Sequence, residues 1–280
     1  MMRIVRAIFG HTSGRIGGVI VLIFFALAVF GMLGLTPHNP LTQNRIDRLH
    51  SPNAVYWMGT DLFGRDVASR LMNGIGESFT VAFLSVALAS LIGTVLGLTA
   101  AWFGKRWDGV IMRMMDVLLA FPAILLALLI IAIVGPGTWT SVAAIAIVYT
   151  PIFTRVVRGP ALSLKARDFV DAARTFGSSK RYILTRHLLL NLVAPLTVQI
   201  TLALAWSLLT EAGLSFLGLG TQPPASSLGL MLSDSRNLME TAPWLLIFPA
   251  ITIMISILGF NLLGDALRDI LDPKMRRTSP

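Results

Sequence analysis

Apolar residues along this chain gather in long uninterrupted blocks instead of alternating with polar ones. A run from Ile16 to Leu35 is followed by five more: Phe79 to Phe103, Met115 to Val134, Val142 to Val157, Leu192 to Gly213 and Trp244 to Gly264. A hydrocarbon core about 30 Å thick needs about 20 residues of helix, and runs this long and uniform exclude tilted barrel strands. The pattern predicts an all-α integral membrane protein with six transmembrane helices. The fourth span is the shortest and carries Pro151, so its ends are loosely defined. Arg3 and Arg6 precede the first run as in a secretory signal. That run exceeds the 7 to 15 residues of a signal core, however, and no small-x-small site closes it, so it is read as a retained helix.

Composition agrees. Of 280 residues 55% are hydrophobic and 13% charged, against roughly 25% charged in a soluble domain. The net charge of +9 would raise nucleic acid as a ligand if Lys and Arg were clustered, but they sit between the apolar blocks. With the N-terminus inside and six crossings, eighteen of the 23 Lys and Arg fall in inside segments and five outside. That bias places both termini in the cytoplasm. The chain has no Cys, and His11, His38, His50 and His187 lack ligand spacing, which argues against a redox or metal centre.

Two connections are long enough to carry function, an external one from Thr36 to Ser78 and an internal one from Gly159 to Asn191. Within the internal loop, Phe169, Ala172, Ala173 and Phe176 recur at helical spacing. Gly177 is a stop and Ser179 an N-cap for a second short helix. The resulting hairpin leaves an apolar stripe that needs a partner.

Asp171-Ala-Ala-x-x-x-Gly177 and the Leu-rich stretch to Asn191 resemble the EAA loop of bacterial ABC importer permeases. Asp171 stands where that family usually has Glu, and Leu190 where it has Pro. Trp57-Met-Gly-Thr-Asp-Leu-Phe-Gly-Arg-Asp-Val-Ala-Ser-Arg70 resembles a signature of the dipeptide, oligopeptide and nickel branch. Leu214 to Pro224, Phe260 to Pro273 and Ala120-Phe-Pro122 are similar to further segments of that branch, so the resemblance runs from about Leu41 to Pro273. Ser227-Leu-Gly229 departs from its usual Glu-Trp-Gly.

The resemblance implies a type I ABC importer permease fold in the bacterial inner membrane, of the C-type. It implies a second, different permease, two cytoplasmic ATPases carrying ATP and Mg, and an extracytoplasmic solute-binding protein as partners. This chain would bind no cofactor and would be no enzyme. Its cargo would be di- or oligopeptides, with nickel, glutathione or opine- and sugar-like solutes as alternatives. Residues 1–78 would form an N-terminal segment, and 79–280 a five-helix core with a coupling loop at 159–191. In that loop Asp171, Ala172, Ala173, Arg174, Phe176 and Gly177 would meet the ATPase.

In the external motif, Gly59, Thr60, Asp61, Gly64, Arg65, Asp66 and Arg70 are read either as an ion-pair and turn network or as residues that receive substrate. Gly59-x-x-x-x-Gly64 continues with Arg65-Asp66, not Lys-Ser or Lys-Thr, so it is no phosphate loop. Glu211, an ionisable group near the outer end of the fifth span, is a candidate for the pathway, together with Ser215 and Pro122; the alternative is that Glu211 reaches the interface or bonds backbone. Gly213 and Gly218 are read as points of close backbone approach, and Arg155 and Arg158 as inside anchors. Gly93-x-x-x-Gly97 is read as a helix-packing face. An ion-coupled secondary transporter would carry a buried coupling site and repeats, and an intramembrane enzyme a nucleophile with its base; neither set is evident.

Overall fold

The computed structural model describes residues 10–271, so Arg3, Arg6, Lys274, Arg276, Arg277 and the Asp272-Pro273 end of the last motif lie outside the described residues. Among the described residues, five helices are long and apolar enough to cross a membrane: α1 (Thr12–Met32), α2 (Val67–Phe103), α5 (Thr138–Lys165), α8 (Val193–Phe216) and α10 (Trp244–Leu271). Between the second and third of these stands a bent pair, α3 (Lys105–Leu119) and α4 (Ala123–Val134), which is apolar and long enough only when the two are taken together and is bent by 91°.

That bend corrects the single span, merely kinked at Pro122, expected from Met115 to Val134. Pro122 disfavours helical geometry at Phe121 and stands as N-cap of α4. Helix α3 carries Lys105, Arg106, Asp108, Arg113 and Asp116 on an amphipathic cylinder that cannot lie in hydrocarbon. Arg155 and Arg158 are more than inside anchors, because Arg155 pairs with Asp116 and Arg158 with Asp108, tying α3 to α5. Helix α5 continues through Pro151 and Pro160.

The second span begins at Val67, well before the apolar run at Phe79. It packs along α5, and α1 packs on α10 and α2. At Gly93 an added Cβ would stand 2.5 Å from the Cβ of Phe153 and 2.9 Å from the Thr150 carbonyl oxygen; at Gly97 it would stand 2.7 Å from the Thr154 carbonyl oxygen. The packing face read from Gly93-x-x-x-Gly97 is therefore the α2–α5 contact. Gly213 and Gly218 behave otherwise. An added Cβ on Gly213 meets only Ile124, at 3.4 Å, and Gly218 is in open space at φ +78°. The close approaches nearby fall at Gly220, against Ser215, and at Gly229, 2.2 Å from the Ala212 carbonyl oxygen.

Two competing effects can be separated at Gly93. Alanine gains about 1 kcal/mol of helix propensity over glycine, whereas overpacking costs typically 1–3 kcal/mol. Gly93→Ala is expected to lower the melting temperature of the detergent-solubilised protein, while Gly109→Ala, in open space on α3, leaves it equal or higher. A rise for Gly93→Ala would contradict the close packing.

Candidate functional site

Two regions at opposite ends of α2 carry the sequence-derived site residues. At the inner end, α6 (Asp168–Thr175) is followed by Gly177 at φ +76° and by Ser179. The Ser179 hydroxyl accepts from the Tyr182 amide at 3.3 Å. A second helical stretch, α7, then runs through Lys180–Tyr182, a π-turn at Ile183–Leu188 and Leu189–Asn191. The expected hairpin is present with its break at Gly177.

Its apolar residues do not form one stripe. Val170 and Ala173 are buried in a cluster with Leu98 and Ala101 of α2, Val157 and Ala161 of α5, and Ile183, Leu188 and Leu192. Ala172 is exposed, and Phe176 is 88% exposed. Helical geometry turns adjacent residues about 100° apart, so Ala173 can be buried while Ala172 is turned out to the exposed side. Arg174 pairs with Asp171 at 3.0 Å and lies over the Trp102 ring at 5.0 Å. The hairpin thus holds the inner end of α2 on one side and offers Phe176, Ala172 and Asp171 on the other.

At the outer end the motif forms a tight turn. The Asp61 carboxylate accepts from the amides of Phe63 at 2.8 Å and Arg65 at 3.0 Å, and the Gly64 amide donates to the Asp61 carbonyl at 3.0 Å. Thr60 and Asp66 bridge antiparallel. Thr60 Oγ1 donates to the Asp47 carbonyl and accepts from the His50 amide at 2.9 Å. Glycine is needed twice, at φ +75° for Gly59 and +71° for Gly64. A Cβ on Gly64 would lie 1.8 Å from the Asn44 carbonyl oxygen, and one on Gly59 would lie 2.7 Å from Trp244 Nε1.

Arg65 Nε reaches Asp61 at 2.7 Å and Arg70 Nε at 3.5 Å, so the ion-pair network holds for Asp61, Arg65 and Arg70. Asp66 departs from it. Its carboxylate accepts from the Ser69 amide at 2.9 Å and the Ser69 hydroxyl at 2.5 Å, capping α2, because the free amides of a helix N-terminus attract an acid. Arg70 also faces Asp234 at 3.7 Å, on α9 (Leu228–Ser235). Burial pushes the Asp234 carboxyl above the usual range, with Arg70 pulling it down.

Glu211 neither reaches the interface nor lines an open path. It is 1% exposed and accepts from the Ser215 hydroxyl at 2.6 Å. The hydroxyls of Ser78 and Ser227 lie beside it. Ser78 Oγ accepts from the Leu228 amide at 3.1 Å and Ser227 Oγ from the Leu230 amide at 3.2 Å, so Glu211 sits under the N-terminus of α9. Pro122 lies apart, exposed at the α3–α4 bend. Sequence reasoning gave no individual role to Ser69, Ser78, Glu77, Asp234 or Trp244. The Asp66-x-x-Ser69 spacing signals a cap, whereas the others depend on tertiary contacts.

Residues 93–277 match the family described as binding-protein-dependent transport system inner membrane component. The chain is 45% identical to the dipeptide transport system permease protein DppC of Alkalihalophilus pseudofirmus, over 93% of this chain and 86% of that one. It is 42% identical to the glutathione transport system permease protein GsiD of Pectobacterium atrosepticum, over 92% and 86%. In fold it is similar to a chain of the inward-facing MetNI methionine ABC transporter, with TM-score 0.60 and 18% identity, covering 72% of this chain and 96% of that one.

The turn around Gly64 allows a matched test, since Gly34 shares its φ of +71° but has open space around it. Gly64→Ala is expected to open the external loop to protease added from outside, and Gly34→Ala to leave it resistant. Equal resistance in both variants would refute the claim that the approach to Asn44 sets the turn.

Proposed function

The chain belongs to the family of binding-protein-dependent transport system inner membrane components, a multi-pass permease subunit of an importer and not itself an enzyme, and from that premise we propose that its cargo is a di- or oligopeptide. The relatives named for dipeptides and peptides, 45% and 42% identical over most of the chain, support this reading. Glutathione, also a small peptide, is the second reading favoured by a named relative.

In this reading the chain pairs with a second, different permease. Two cytoplasmic ATPases carry ATP and Mg, and an extracytoplasmic binding protein delivers cargo to the outer face. Of residues 1–78, those ahead of α2 are an addition to the core, since α2 runs unbroken from Val67 across residue 79; this is in keeping with the family match that begins at residue 93 and the shorter structural relative. The exposed side of the hairpin, with Asp171, Ala172 and Phe176, docks an ATPase, while Arg174 and Ala173 hold it to the permease.

The observation that carries the mechanism is the burial of Val170 and Ala173 against α2 and α5. A push on the hairpin is passed to those two helices because close-packed side chains cannot absorb it. Coupling then requires that the hairpin contact the ATPases differently in their open and closed states. Gly177 sets the hairpin angle through its backbone, since a Cβ there would meet nothing within 4 Å.

Asparagine tolerates positive φ and a β-branched residue does not. Gly177→Val is expected to reduce ATP-driven peptide uptake at least tenfold with normal membrane insertion, and Gly177→Asn to retain most of it. Normal uptake by Gly177→Val would rule out a coupling role for this turn.

A further inference from the structure

We propose that the outer cavity beside the start of α2 receives both charged ends of a small peptide, Arg70 taking the carboxylate and Glu77 the ammonium; this rests on the peptide-import reading above. The cavity measures about 510 Å³ and is lined by Gly31, Met32, Arg70, Asn73, Glu77 and Ser226, among others. It lies at the end of α2 opposite the basic hairpin, which the distribution of Lys and Arg makes the external end. Its volume falls within the roughly 300–1,000 Å³ of small-molecule sites.

Arg70, Asn73 and Glu77 stand at i, i+3 and i+7 of one helix and so share a face. Charged side chains in a spanning helix are costly and turn toward protein or a water-filled cavity. Arg70 is 4% exposed, yet its buried Nη1 has no hydrogen-bond partner among the described residues. Its contacts to Asp61 and Asp234, at 3.5 and 3.7 Å, are longer than good charge-assisted hydrogen bonds. Asp61 is already engaged by Phe63 and Arg65. The guanidinium therefore keeps donor capacity for a planar carboxylate.

At the far end Glu77 is fixed from behind. Its Oε1 accepts from the Thr138 hydroxyl at 2.8 Å and faces that of Thr221 at 3.5 Å, which leaves Oε2 for a cation. Asn73 lies between, with an amide able to donate to and accept from a peptide bond. Seven residues of helix at about 1.5 Å each separate the Cα atoms of Arg70 and Glu77 by about 10.5 Å along the axis. An extended chain spans about 3.3–3.6 Å per residue, so about three residues bridge that distance. A free amino acid reaches one end only, and a long peptide overruns the site.

The test is equilibrium binding of labelled trialanine to the purified complex of both permeases and the ATPases, without the binding protein, which could select termini itself. The competitors are alanine, hexa-alanine, N-acetyl-trialanine and trialanine amide. Wild type should bind free trialanine at least tenfold more tightly than any of these. Glu77→Gln should weaken free trialanine about tenfold and abolish the penalty for N-acetylation while keeping that for amidation. Arg70→Gln should do the converse, and Glu77→Gln alone decides the matter if Arg70→Gln does not fold. Wild-type binding indifferent to blocked termini, or equal loss for free and blocked peptides in Glu77→Gln, would overturn the site. Uptake of trialanine by the complete importer is measured in parallel. Failure of uptake of trialanine, and of dialanine and glutathione tested beside it, would refute peptide import itself, whereas intact trialanine uptake with terminus-indifferent binding would refute this site alone.

Discussion

The approach of α2 to α5 across Gly93 and Gly97 is the contact on which the rest of the fold depends. Between helices in lipid there is little hydrophobic gain, because lipid tails are as apolar as leucine, so association rests on close van der Waals packing. Backbone here meets backbone, with Thr150 and Thr154 carbonyls at the positions a side chain would occupy. The two glycines give up about 1 kcal/mol each in helix propensity, and any side chain in their place would force the helices apart. Everything attached to this pair inherits its rigidity.

What is attached lies at both ends. Helix α2 has 37 residues, about 55 Å at about 1.5 Å per residue, well beyond a hydrocarbon core of about 30 Å. Its outer end begins in the Asp66 cap and the Gly59–Arg70 turn. At its inner end the ammonium of Lys165 donates to the Ala101 and Trp102 carbonyls, at 3.0 and 2.7 Å, satisfying acceptors the helix leaves open. The Trp102 ring also meets Arg174 of the hairpin. One rigid element therefore joins the external turn to the internal hairpin.

Much of this was legible because lipid imposes a simple rule. Backbone groups must bond within the segment, so long apolar runs reveal helices, and Gly93-x-x-x-Gly97 and Gly177 with Ser179 reveal packing and a break. What stayed hidden has specific causes. The true start of α2 is masked by Arg70, Asn73 and Glu77, polar residues that interrupt the apolar pattern while sitting in a cavity. The bend at Pro122 looked like a kink in one span because Met115 to Leu119 is apolar enough to extend it, although Asp108 and Asp116 belong to an ion-paired surface helix. The Ala172-Ala173 pair read as one face because spacing cannot say which residue meets the core. Asn44 against Gly64, Trp244 against Thr60 and Ser78 against Leu228 join residues 20, 184 and 150 positions apart, and no local pattern announces them.

The burial of Glu211 follows from the same scarcity of directional contacts. Leucines in an apolar bundle can slide by a fraction of a turn at little cost, whereas a carboxyl group removed from water tolerates few arrangements. Here Ser215, Ser78 and Ser227 come from α8, α2 and the cap of α9, and each places an oxygen at the point where α9 begins. Gly229 lets α9 settle onto the Ala212 carbonyl, and Ser226 donates to the Arg70 carbonyl at 3.1 Å. The polar knot therefore fixes the register of α9 on α2, which places Asp234 opposite Arg70. The acid singled out from sequence near the end of the fifth span thus sits beneath α9, within the packing of the outer face.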